Sequence, residues 1–144
     1  MTNGIPMRWN MESTLFDAYT VACDQTLDTH WHSHFLLHLV TEGKAFQEIN
    51  GKRYPVHRGS IILLSPMDFH RNVVKEGDHI SFCAVKISEE TFYHSAGEFC
   101  SLHSFPPVGE LNDADYKTTQ RLFDLLLAEQ KNTPLSGTSA FPPP

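Results

Sequence analysis

The sequence predicts a mainly β domain, a sandwich or barrel of short strands followed by one short and one longer helix. Three observations carry this expectation. Apolar, β-branched and aromatic runs follow one another from Ala18 to about Ile87. Glycine- and proline-containing turn signals recur between them at intervals of roughly 8 to 12 residues, the spacing of small all-β folds. Beyond Ile87 the apolar spacing changes to that of helices.

The strand candidates are AYTVAC, HSHFLLHLV, KAFQEI, KRYPV, SIILLS, FHRNVV and HISFCAVKI. They are separated by Glu42-Gly43, Asn50-Gly51, Arg58-Gly59, Pro66-Met67-Asp68 and Glu76-Gly77-Asp78, each read as a turn. Asn50-Gly51 is the sharpest of these signals. A two-residue type I′ hairpin needs positive φ at both central positions, which Asn and Gly tolerate best. Ser88-Glu89-Glu90 then starts a helix, with Ser88 as cap and two carboxylates at the positive end of the dipole. Gly97 stops it near Ser95, and EFCSLHSFPPVGEL reads as irregular. Asn112 or Asp113 caps a second helix running to about Lys131, with Tyr116, Thr119, Leu122, Phe123 and Leu126 on one face and Leu125 and Leu127 widening it. The expected organisation is an N-terminal arm over residues 1–17, a barrel over 18–87, a helical extension over 88–132 and a disordered tail over 133–144.

With 144 residues the chain is the length of one domain. Its composition, 40% hydrophobic and 19% charged, is that of an ordinary globular protein. No apolar run approaches the ~20 residues that span a bilayer, and the first residues lack the apolar core of a signal peptide. The expected location is therefore the cytoplasm. A formal charge of −6 and scattered Lys and Arg argue against a nucleic-acid grip within this chain. Cys23, Cys83 and Cys100 are an odd number without C-x-x-C spacing and read as reduced thiols.

The nine histidines are the unusual feature. Side chains of one parity share a face of a strand. If HSHFLLHLV is a strand, His32, His34 and His38 line one face with Leu36, and a barrel can bring His70 beside them. Neutral imidazoles are good ligands for Zn, Ni, Fe or Cu. The same groups also suit hydrogen bonds to the hydroxyls of an organic ligand, or to the backbone as plain core residues. His30, His57, His79, His94 and His103 lack partners at useful spacing and read as surface or ordinary structural residues.

The stretch H32-S-H34-FLL-H38-LV-T-E-G43, followed by Gly59 and S65-P-M-D-F-H70, resembles the two motifs of a cupin barrel. His32 and His34 stand at the paired histidines, His70 at the histidine of the second motif, and Gly43, Gly59 and Pro66 at turn positions. His38 departs from the pattern, standing where the cupin motif has glutamate. The order of these motifs, with INGKRYPVHRGSIILLSPMDFH and two helices after them, resembles the sensor domain of AraC/XylS-type transcriptional regulators over about Thr29 to Asn132. The resemblance implies a cupin-type double-stranded β-helix (jelly-roll) barrel that binds a small-molecule effector, and a helical segment that makes a homodimer. It implies DNA binding only through a helix-turn-helix half, which is not expected within these residues.

On this reading His32, His34, His38 and His70 are the candidate metal ligands, for a divalent Zn, Ni, Fe or Mn ion. Leu36, Tyr54 and Phe82 are the candidate pocket residues, and Leu122, Phe123 and Leu126 the candidate dimer interface. Trp31, of opposite parity to the histidines, is expected outside the barrel. The alternative is a small metal-dependent cupin enzyme, a dioxygenase or isomerase. Glu42 and Glu48 share parity with the ligands, but near strand ends they are expected to face solvent. An interaction module with an empty barrel is a third reading.

Overall fold

A computed structural model of the chain describes residues 5–7, 16–96 and 106–132. The expected tail, most of the arm, Gly97, Cys100 and His103 lie outside the described residues. Nine strands and two helices follow in chain order: β1 (Ile5–Met7), β2 (Phe16–Cys23), β3 (His30–His32), β4 (Phe35–Ile49), β5 (Lys52–His57), β6 (Ser60–Leu64), β7 (His70–Val73), β8 (Ile80–Ile87), α1 (Glu89–Ala96), β9 (Val108–Glu110) and α2 (Asp113–Asn132). The mainly β class with one short and one longer helix is as the sequence predicts. Within the expected arm, Ile5–Met7 pair in parallel with β3. Within the stretch expected to be irregular, β9 pairs with β6, a short edge strand that its Pro-Pro-Val-Gly sequence concealed.

The 15-residue strand β4 organises the barrel. Its first half lies between β6 and β8, with β2 beyond β8 and β9 beyond β6. Its second half lies between β5 and β7, with β3 and β1 beyond β7. One strand therefore belongs to both faces of the barrel. This corrects the expected turn at Glu42-Gly43. The chain runs straight through, with a register shift against β8 between Val40 and Glu42 and a φ of 83° at Gly43. A bulge inserts one residue and so exchanges the two faces beyond it. Before it the inner residues are Leu36, His38 and Val40; after it they are Ala45, Gln47 and Ile49.

Asn50 and Gly51 have φ of 51° and 87°, the type I′ pair that joins β4 to β5. The interior is filled by Leu36, Val40, Val56, Ile62, Leu64, Ile80, Phe82 and Ala84. A second core forms on the outer face, where Ala18, Leu39, Cys83 and Val85 meet Tyr116 and Phe123 of α2. Gln130 fastens that helix by accepting from the Ala18 amide at 2.8 Å and donating to its carbonyl at 2.7 Å. Both helix caps form as expected. The Ser88 hydroxyl accepts from the Thr91 amide at 3.1 Å, and Asn112 Oδ1 from the Asp115 amide at 2.7 Å. α1 packs on the barrel through Phe92, which stacks on the fully buried Phe35 with ring centroids 3.8 Å apart.

Candidate functional site

The imidazole cluster is built from four segments of chain. β3 supplies His30 and His32, the bend after it His34, β4 His38, and β7 His70. The expected single strand from His32 to Val40 is broken at Ser33-His34, so His32 and His34 are not held together by alternation. They are nevertheless adjacent, with ring centroids 4.8 Å apart, because the bend folds His34 back toward the barrel. His32, His34, His38 and His70 are each 5% exposed or less.

His32 and His70 stack at 5.0 Å, and His38 lies 6.4 Å from His70. His30 is the residue the sequence reading set aside, and the structure corrects this. It is the Cα partner of His70, with ring centroids 4.3 Å apart, and lies 5.1 Å from His32. His30, His32 and His70 can each offer a nitrogen such that all three lie within 4.8 Å of one another. A signal for His30 existed: it has the parity of His32 and is two residues away in the same strand. His38 and His34 stand beside this trio rather than in it.

Burial keeps His32, His34, His38 and His70 neutral. It pushes His32 down to about 3, with the neighbouring His34 and His30 adding to the effect. It takes His34 to about 4, helped by Lys86, and His38 to about 3, helped by His30. His70 is held well below its ordinary value by burial and by the surrounding imidazoles. A neutral imidazole has one donor nitrogen and one acceptor nitrogen. His30 Nδ1 is 3.1 Å from the Asp28 carbonyl, to which it donates. Both ring nitrogens of His32, Nδ1 of His38 and Nε2 of His70 are buried without a hydrogen-bond partner among the described residues. Unpartnered polar atoms at that depth are costly.

Phe82 is buried beside the rings, 4.4 Å from His38 between ring centroids, and Leu36 is buried in the inner core. Lys86 is on the inner face of β8, half-buried, its Nζ 5.3 Å from the Tyr19 ring. Tyr54 is displaced from this group. It packs in part against the inner core but lines a separate open pocket of about 720 Å³ with Lys52, Asp68 and Tyr93. Trp31 is outside the barrel as expected, near Phe69. Glu42 is exposed, 3.8 Å from His79. Glu48 lies outside beyond the bulge, bound by Arg71 at 2.7 Å and Arg53 at 3.1 Å. Gln47 takes the inward position instead, a residue the parity argument missed because it did not allow for the bulge at Gly43.

The sequence profile of the AraC-like ligand-binding domain matches residues 19–139, most of the chain. The chain belongs to that family. Curated protein sequences give no match to this AraC-like domain. Among solved structures it is similar to a cupin 2 conserved barrel domain protein from Salinispora arenicola, at 21% identity and a TM-score of 0.49, covering 62% of this chain and 77% of that one. It is also similar to the plu4264 protein from Photorhabdus luminescens, at 19% identity and a TM-score of 0.49, covering 60% and 73%. A third is the salicylate 1,2-dioxygenase from Pseudoaminobacter salicylatoxidans, at 19% identity and a TM-score of 0.48, covering 56% and 23%. Among the described residues no helix of the AraC-like domain is long and apolar enough to cross a membrane.

Proposed function

We propose that this AraC-like domain is the effector-sensing and dimerisation part of a cytoplasmic transcriptional regulator, and that the inward-facing imidazoles are its recognition group. The observation that carries the proposal is the cluster itself: a ligand-binding family barrel in which five histidines converge, four of them buried, and ring nitrogens of His32, His38 and His70 lack partners among the described residues. Solvent-exposed or fully bonded histidines would carry no such reading.

The donor set fits a divalent transition metal. His30, His32 and His70 would hold it, with His34 and His38 beside them; His32 and His70 are held neutral by burial and need not be stripped of protons first. A bound Zn, Ni, Fe or Mn ion would act as a Lewis acid toward an oxygen of the effector. Leu36 and Phe82 would close the apolar side of the site and exclude water. Sensing then needs a differential affinity between two arrangements of arm, barrel and helices. The connections are short: β3 carries His30 and His32 and is the strand on which β1 of the arm pairs. Phe35, the neighbour of His34, stacks on α1.

The test is metal analysis of the purified chain, followed by titration with Zn²⁺, Ni²⁺, Fe²⁺ and Mn²⁺ by calorimetry. About one equivalent bound, and lost in both His32→Ala and His70→Ala, supports the site; retention in both variants overturns it. The metal-dependent enzyme reading is separated by oxygen uptake of the loaded protein with small aromatic acids. Binding without turnover is the expected result for a sensor.

A further inference from the structure

Gln47 is 1% exposed and sits on the inner face of β4, between Ala45 and Ile49. Its amide nitrogen is 3.5 Å from Nδ1 of His70. Its Oε1 is buried with no donor among the described residues, and so is Nε2 of His70 on the far side of the ring. A carboxamide can present either its oxygen or its nitrogen to the ring with almost no change of shape. If the nitrogen donates, His70 keeps its proton on Nε2, and two buried groups, that N–H and the Gln47 Oε1, stay unsatisfied. If the oxygen faces Nδ1, the Nδ1–H donates to it and the Nε2 lone pair is free. The amide nitrogen then turns to the opposite side. Asn72, the Cα partner of Gln47 on β7, holds a buried oxygen that also lacks a donor.

We infer that Gln47 is a positioning residue for His70: its side-chain oxygen accepts the Nδ1 proton, fixing the tautomer whose Nε2 lone pair points into the imidazole cluster. The inference rests on the cluster being a recognition group, since a lone pair aimed into a cavity has value only toward a metal or a ligand donor. Partners of this kind set both the orientation and the basicity of a ligating histidine. The carboxamide suits the task better than a carboxylate would, because it imposes the tautomer without adding a charge to a dry interior.

The test is the tautomer of His70 in the metal-free, ¹⁵N-labelled full chain, read by long-range ¹H–¹⁵N correlation and assigned by comparison with His70→Asn. The expected result is protonation at Nδ1 in the wild type, a mixture or Nε2 protonation in Gln47→Leu, and return to Nδ1 in Gln47→Glu. Zn²⁺ affinity should fall on the order of 10- to 100-fold in Gln47→Leu and recover in Gln47→Glu. Nε2 protonation in the wild type overturns the inference, and needs no variant to fold. Nδ1 protonation with no Zn²⁺ binding upholds Gln47 while removing the metal reading of the cluster.

Discussion

His30 and His70 face each other across the β3–β7 ladder as Cα partners, their rings 4.3 Å apart. That pairing draws an otherwise ordinary histidine into the group, because cross-strand neighbours on one face are forced into contact. His57, by contrast, is exposed on the outside, its Nε2 3.3 Å from a carboxylate oxygen of Glu110. His30→Ala should therefore weaken Zn²⁺ binding on the order of 100-fold, as a lost ligand would, whereas His57→Ala should leave it unchanged. Isothermal titration of both variants checks this. Equal affinity in His30→Ala and wild type removes His30 from the site.

The metal-free protein should be unusually sensitive to mild acid. In the unfolded chain each histidine takes up a proton near its ordinary value of 6.5; in the fold, His32 and His38 resist until about 3 and His34 until about 4. Between those limits the unfolded state binds more protons, so stability rises with pH. The full contribution is present above pH 6.5 and is lost steadily as pH falls toward 4, by up to about 1.4 kcal/mol per pH unit for each such group. Carboxylates such as Glu48, held low by its two arginines, add their loss only below their own ordinary range. Urea midpoints at pH 7.5, 6.5, 5.5 and 4.5 should fall slightly over the first step and more steeply over the next two. In His38→Phe the fall should be shallower by one group. A level profile down to pH 4.5 would mean the rings are protonated or solvated in the native state.

Much of the architecture is legible in the chain because it is written in local rules. Asn50-Gly51 dictates its hairpin, Ser88 and Asn112 their caps, and the apolar spacing from Tyr116 its helix. The site is less legible, because alternation is a relative rule and fails wherever the count is interrupted. The break at Ser33-His34 and the bulge before Gly43 each interrupt it once. The first did no harm, since the bend restored His34 to the interior. The second exchanged Glu48 for Gln47. A glycine inside an otherwise continuous strand pattern is the available sign of such a bulge. His30 was lost for another reason: the parity it shares with His32 was visible, but its pairing with His70 is long-range and is recorded by no local spacing.

Gly43 should be the least replaceable residue of β4. Its φ of 83° is open to glycine, and an added Cβ would collide with the backbone carbonyl of His79. That carbonyl also accepts a bond from the Lys44 amide at 2.8 Å, so it cannot retreat freely. Gly51 has a similar φ of 87° but nothing within 4 Å of its would-be Cβ. Gly43→Ala should cost about 3–5 kcal/mol, against about 1 kcal/mol for Gly51→Ala, where backbone strain acts alone. Equilibrium denaturation of the two variants measures the difference. Equal costs would show that the strand relaxes around the bulge and that close approach is not what reserves the position for glycine.

The outer face of α2 separates packing from association. Phe123 is 2% exposed and seated in the second core of its own chain, so it is not free to serve a partner. Leu122 and Leu125 remain 55% and 60% exposed, with Leu126 packed only in part. Leu122 also lines an apolar groove of about 550 Å³ with Phe92 and Thr119. Covering these leucines in a homodimer would gain roughly 1.5–3 kcal/mol for each side chain fully buried. Phe123→Ala should therefore destabilise the fold by about 3–5 kcal/mol through the cavity it leaves. Leu122→Asp with Leu125→Asp should leave the fold nearly as stable but convert a dimer to a monomer in light scattering at tens of micromolar. Were the wild type monomeric at that concentration, the leucines would be surface residues only, and dimerisation would have to be sought on another face of the barrel.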